Sequence, residues 1–198
     1  ALLLILLVFL LVAVNGFFVA TEFAIVRSRR SRIESSAEEG SGAARLALHQ
    51  LDHVDEYVAT SQVGITLASI GIGFLGEPAV ASLLEEPLGN FFSHGVAVVI
   101  AFAIAYLLVT SAHITVGEQV PKIYAITHPE STARRGARLL HIFRLTFRPL
   151  IWALNSASNA MLRALGVNPK AGLEEISSSD DLKLLIVRSA TGGKLDPG

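Results

Sequence analysis

The chain has no cysteine in 198 residues, and only one Met and one Trp. Without cysteine it has neither a disulfide framework nor a thiolate metal site, and its redox compartment is not encoded. Charge is also scarce, at 17% of residues against 52% hydrophobic, with a mean hydropathy of +0.54. That balance exceeds what a soluble domain of this size normally carries. The scarcity is uneven: all 16 Lys and Arg fall in two blocks, 27–45 and 122–194. The apolar runs and the connector around Glu85 and Glu86 have none. Lys and Arg stay on the cytoplasmic side, whereas a connector lacking them crosses. The pattern therefore predicts an integral membrane protein with three spans, N-terminus outside and C-terminus cytoplasmic. The first apolar run lacks both the basic start and the cleavage pattern of a signal peptide. It is read as a span whose true start lies upstream of Ala1.

Spanning ~30 Å of hydrocarbon at ~1.5 Å per residue takes about 20 residues. The first span is predicted at 1–26, interrupted by Asn15, Gly16, Thr21 and Glu22 and stopped by Arg27, Arg29, Arg30 and Arg32. The second, 58–80, carries Thr60, Ser61, Gln62, Thr66, Ser69 and four glycines, and is too polar for a helix surrounded by lipid. The third, 95–118, is apolar up to Val109 and then polar through Thr110, Ser111, His113, Thr115 and Glu118, closing at Pro121 and Lys122. Polarity gathers toward the basic end of all three. Between the first two spans, 33–57 reads as a juxtamembrane segment, with a surface helix over 43–57 after the Gly40-Ser41-Gly42 break. The stretch 129–168 reads as one or two amphipathic helices, with Arg134 and Arg138 facing lipid head groups and Pro149 marking a kink or break. The apolar face beside those arginines disfavours nucleic acid as a partner. From 169 on, the chain reads as the start of a polar cytoplasmic linker.

The chemistry is expected where polar groups are forced into apolar spans. A carboxylate inside a bilayer costs at least ~2.5 kcal/mol and usually faces a bundle interior or a watery cavity. Glu22 and Glu118 are therefore functional candidates. With hydroxyls from Thr21, Ser61, Thr66 and Ser69 they make an oxygen-rich set of the kind preferred by Mg²⁺ or Ca²⁺. Pro121 has no N–H to donate to the carbonyl of Gly117, so a free carbonyl oxygen is expected beside Glu118. The structural readings are that Ser and Thr bond their own helix, that Glu22 pairs with Arg27, that Lys122 at i+4 pairs with Glu118, and that His113 is a packing residue.

Three ordered motifs carry a family resemblance. Asn15-Gly-Phe-Phe-Val-Ala-Thr-Glu-Phe-Ala-Ile-Val with Arg29-Arg-Ser-Arg-Ile, then Gln62-Val-Gly-Ile-Thr-Leu-Ala-Ser-Ile-Gly-Ile-Gly-Phe-Leu-Gly-Glu-Pro, then Gly117-Glu-Gln-Val-Pro-Lys resemble the signatures of the CorC and cyclin M group of magnesium transporters. They cover the three-span core over 1–128. The resemblance implies an all-α membrane protein of the plasma (inner) membrane, a homodimer with three transmembrane helices per subunit and a belt of juxtamembrane amphipathic helices. It also implies Mg²⁺ export coupled to Na⁺ entry from a site open to the cytoplasm. Carried over by position, the metal site would use oxygens near Thr21, Ser69, Gly117 and Glu118, with Glu22, Ser61, Gln62 and Thr66 as neighbours on the ion pathway. Members of the group continue into CBS domains that bind nucleotide, so the chain is expected to be a piece of a longer protein and nucleotide is not expected to bind these residues.

Two other classes compete. A Mg²⁺-sensing membrane scaffold that regulates another transporter would need the same site without ion flux. An intramembrane hydrolase using Ser111 or Ser69 with His113 is disfavoured: Ser111 and His113, two residues apart, point to different helix faces, and no Gly-x-Ser-x-Gly elbow is present. The domain is expected not to be an enzyme.

Overall fold

A computed structural model describes residues 2–166, and among them no strand occurs. Seven helices follow in order: α1 (Leu2–Arg27), α2 (Arg30–Glu38), α3 (Gly42–Asp52), α4 (Val54–Gly89), α5 (His94–Ala112), α6 (Val120–Thr127) and α7 (Pro129–Ala164), with a π-helical segment, His113–Gln119, joining α5 to α6. Three helical stretches are long and apolar enough to cross a membrane: Leu3–Arg27, Val54–Gly89 and His94–Thr127. The all-α, three-span expectation is met. The chain divides into a first unit, Ala1–Ile151, and a second that starts at Trp152; all contacts described below lie in the first. The predicted linker from 169 on lies outside the described residues.

The spans differ from the expected bounds in an instructive way. The second runs 36 residues, Val54–Gly89, not 58–80, which at ~1.5 Å per residue is ~54 Å and exceeds a bilayer core. Its first turns are held by the surface helices: Tyr57 is buried, and Arg144 of α7 pairs with Glu56. The helix passes Pro78 and continues beyond residue 80 through Pro87 to Gly89. The third span does not end at Glu118. A π segment leads up to Pro121, the Gly117 carbonyl takes its bond from Asn15 instead, and helix continues to Thr127. Likewise α7 passes through Pro149 without a break.

The expected surface helix over 43–57 divides at His53, with α3 before it and α4 after. Ser41 opens α3 by accepting the Ala44 amide on its hydroxyl at 3.2 Å, which satisfies one of the free donors of the helix start. Small residues set the packing. Ala24, Ala44, Ala47, Ala125, Ala133 and Ala137 bury together with Ile33, bringing the basic end of α1 against α2, α3, α6 and α7. Beside them Phe18, Ile25, Tyr57 and Leu140 form a second cluster, and Val12, Ile72 and Val109 join the three spans further along.

Polar groups pin the belt helices. Gln50 of α3 donates to the Ala137 carbonyl at 2.7 Å, and Arg134 donates to the Ser36 hydroxyl at 3.2 Å. Tyr57 donates its hydroxyl proton to His141 Nδ1 at 2.6 Å, which requires that nitrogen to be unprotonated. His141 is held below the usual histidine range by burial first, then by the Arg144 guanidinium and His49. Arg30 pairs with Asp52 at the exposed surface, and the guanidinium holds that carboxyl below its ordinary value.

A candidate cation site at the centre of the spans

Asn15 stands midway along α1 and is fully buried. An amide side chain in an apolar helix needs partners for its carbonyl and its N–H groups, and desolvating it without them costs ~1–3 kcal/mol. It finds them on the other two spans. Its Nδ2 donates to the Gly117 carbonyl at 3.0 Å, the acceptor that Pro121 cannot serve, and its Oδ1 accepts from the Ser69 hydroxyl at 3.2 Å. Ser69 Oγ also lies 3.3 Å from His113 Nε2, and that nitrogen is 3.6 Å from Glu118 Oε1. Since the Ser69 proton goes to Asn15, the Nε2 of His113 carries the proton that reaches Ser69. One span thus brings an amide, the second a hydroxyl, and the third a backbone carbonyl, an imidazole and a carboxylate.

The close approach rests on glycine and on the π segment. A Cβ at Gly117 would lie 2.9 Å from the His113 ring and 3.3 Å from Asn15 Nδ2, so the carbonyl reaches the amide only without a side chain. A Cβ at Gly16 would meet the Pro121 ring at 3.0 Å, so α1 and α6 touch at the residue after Asn15. The π segment runs from His113 to Gln119 and so contains all three contributions of the third span. Such widened turns alter which carbonyls are bonded within a helix and recur at functional sites.

The sequence candidates separate on this geometry. Ser69, Gly117 and Glu118 come together. Thr21 does not join them: it is six residues nearer the basic end, ~9 Å along the helix, and its hydroxyl donates to the Phe17 and Phe18 carbonyls of its own helix, both at 3.0 Å. Its methyl instead presses on Gly136 of α7, where a Cβ would come within 2.3 Å. Among the second group, Ser61 is buried with its hydroxyl unpartnered, Glu22 is half-buried, and Gln62 and Thr66 are exposed. Arg134 is half-buried against Ser36 and Arg138 is exposed. Lys122 does not pair with Glu118. Its ammonium sits over the Phe23 ring, 4.8 Å from the centroid, and among the described residues the one ion-pair neighbour of the Glu118 carboxylate is the His113 imidazole.

Among the described residues no three His, Cys, Asp or Glu side chains converge as a metal cluster. A cation here would be held by one carboxylate and by neutral oxygens.

The motifs that build this cluster are those of a known group, and the cyclin M transmembrane N-terminal domain family matches residues 5–198. The chain belongs to that family. Similar proteins include UPF0053 protein YhdT of Bacillus subtilis, 42% identical over 192 residues, which covers 94% of this chain and 41% of that protein. UPF0053 protein YhdP of the same organism is 37% identical over 196 residues, covering 96% of this chain and 43% of that protein. An uncharacterized protein of Mycobacterium tuberculosis, Rv1841c, is 35% identical over 192 residues, covering 97% of this chain and 55% of its own. The chain therefore spans only about half, or less, of the length of these relatives.

Sequence reasoning missed two members of the cluster that the cyclin M domain builds. Asn15 had been read as an interruption of the first span and His113 as a packing residue. The available signal was the amide in the middle of an apolar helix, which demands a long-range partner.

Proposed function

We propose that this domain carries Mg²⁺ across the membrane, taking the ion at the Asn15, Ser69, Gly117 and Glu118 cluster from the side that bears the basic residues, which is the cytoplasm. The observation that carries this reading is the meeting of three spans at one carboxylate and three neutral oxygens, at the midpoint of α1, where uncharged helix surfaces would pack more cheaply. Mg²⁺ demands near-octahedral oxygen and releases its waters reluctantly. A site with a single carboxylate and small neutral donors suits an ion that keeps part of its hydration and must leave again. The resemblance of the three motifs to the family supports extending the proposal to export, coupling to Na⁺ entry and pairing of two copies. Exposed Leu67, Ile70 and Phe74 on α4 offer an apolar face for a second copy.

A scaffold that senses Mg²⁺ would use the same cluster and would differ by showing no flux. Hydrolysis is opposed by the geometry even though Ser69 and His113 are close. A nucleophilic serine needs its proton aimed at the base and a carboxylate on the far ring nitrogen. Here the Ser69 proton faces Asn15, and Ser69 and Glu118 both face Nε2.

Glu118→Gln tests the proposal, because it keeps the shape and removes the charge. Titration calorimetry and liposome flux of the folded variant should show Mg²⁺ binding and transport abolished. Unchanged Mg²⁺ affinity would make Glu118 a structural partner of His113 and sink the site.

A further inference from the structure

A polar cleft of about 600 Å³ opens between α2 and the start of α7, lined by Ser31, Arg32, Ser35, Ser36, Ser131 and Arg134 together with Thr127, His128 and Glu130. We infer that this cleft binds the phosphate of an anionic phospholipid head group, a site separate from the cation cluster and independent of the transport reading.

Its lining offers two guanidiniums and the hydroxyls of Ser31 and Ser35, groups that recognise phosphate oxygens, while Ser36, Ser131 and Thr127 donate to backbone carbonyls. Two guanidiniums, Arg32 and Arg134, against the lining's one carboxylate, Glu130, leave the cleft net positive; Glu130 also accepts the Arg29 amide at 3.4 Å. Arg134 is placed rather than free: one of its N–H groups donates to Ser36 Oγ, and Ser36 in turn donates to the Arg32 carbonyl at 3.3 Å. That link ties the two arginines to one wall. The Arg32 side chain is exposed and has no ion-pair partner among the described residues.

The position selects a lipid over a soluble anion. Two of the three spans end here, α1 at Arg27 and the third span at Thr127, so the cleft lies at head-group level. The surfaces leading from it toward the hydrocarbon are apolar and exposed: Val26 on α1, and Ile123, Tyr124 and Ile126 on α6. A phosphate in the cleft would leave acyl chains lying along those side chains. A soluble anion would find no use for them.

Native mass spectrometry of the full chain, released from nonionic detergent with equal phosphatidylglycerol and phosphatidylcholine, tests this. Phosphatidylglycerol should be retained in preference. Retention should fall about fivefold in Arg32→Gln and about thirtyfold in the Arg32→Gln, Arg134→Gln double variant, at ~1 kcal/mol per basic side chain. Arg138→Gln, exposed on the belt but outside the cleft, should cost much less than Arg32→Gln. If the loss of the Ser36 contact unfolds the double variant, Arg134→Lys, which keeps the charge, and Arg32→Gln alone still decide. Equal retention of the two lipids, or equal losses in Arg138→Gln and Arg32→Gln, would mean a diffuse basic belt and overturn the site. Displacement of phosphatidylglycerol by millimolar inorganic phosphate, with no preference for the lipid, would make it a soluble-phosphate site and overturn the lipid assignment.

Discussion

The centre of the spans and the belt beneath it satisfy their polar groups by opposite means. At the centre, Asn15, Ser69 and the Gly117 carbonyl satisfy one another through neutral hydrogen bonds, and among the described residues the carboxylate of Glu118 pairs with the His113 imidazole alone. In the belt, charges meet charges: Arg144 pairs with Glu56, Arg30 with Asp52, and Tyr57 closes on His141. A closed ion pair holds helices together but has no electrostatic capacity left for a ligand. The central cluster has no Lys or Arg on its carboxylate among the described residues, which makes it a poor fastener and is the feature on which the proposed cation site rests. The alanine cluster lets the belt brace the basic ends of the spans without any group being taken from the site.

Substitutions that close the gap at the centre should have the largest effect. Gly117→Ala forces a methyl between the His113 ring and the Asn15 amide, and overpacking of that kind costs about 1–3 kcal/mol. Thermal melts in detergent should show a lower Tm, and calorimetry should show Mg²⁺ affinity down by more than about tenfold, since ~1.4 kcal/mol lost at the site corresponds to that factor. A normal Tm with full affinity would mean that the carbonyl is not held where Asn15 needs it. Ser69→Ala removes a single hydroxyl, costing about 1 kcal/mol for the lost hydrogen bonds, and should weaken Mg²⁺ binding less than Glu118→Gln does. An equal loss in the two variants would shift the weight of the site from charge to geometry.

The belt should respond to pH where the centre depends on ion occupancy. Burial and the neighbouring Arg144 hold His141 below the ordinary histidine value of 6.5, so its stabilising contribution is complete above that value and is lost as pH falls through it toward the lowered folded-state value. Protonation puts a proton on the nitrogen that accepts from Tyr57 and sets a second cation beside Arg144; His49, His53, Asp52 and Glu56 are the other titratable groups in this region of the belt. Amide exchange in α3 and α7 should therefore quicken between neutral and mildly acid pH. His141→Gln should flatten that dependence, and a persistent pH response in the variant would show that another group carries it. The smallest effect belongs to Arg30→Ala. Its pair with Asp52 is exposed and screened by solvent, so Tm should not move measurably; a clear drop would show that the belt leans on its outer ion pair.

The sequence by itself determined the class, the number of spans and the location of polarity, because hydropathy and Lys/Arg bias act locally and need no partner. It also singled out Glu118 and the Gly117 carbonyl, since a proline deprives the fourth residue before it of a donor whatever the fold. Only the tertiary structure decided that Asn15 would meet Gly117, 102 residues away, that Ser69 would bridge to His113, and that Thr21 would turn toward Gly136. Those outcomes depend on which helix faces cross at which height, and residues 100° apart on one turn look alike in a list of polar positions. The length of α4 and the continuation of the third span past Pro121 were decided the same way. A helix persists where neighbours cover its flanks and a side chain of another helix can take up a missing bond, and neither condition is visible within a few residues of the proline.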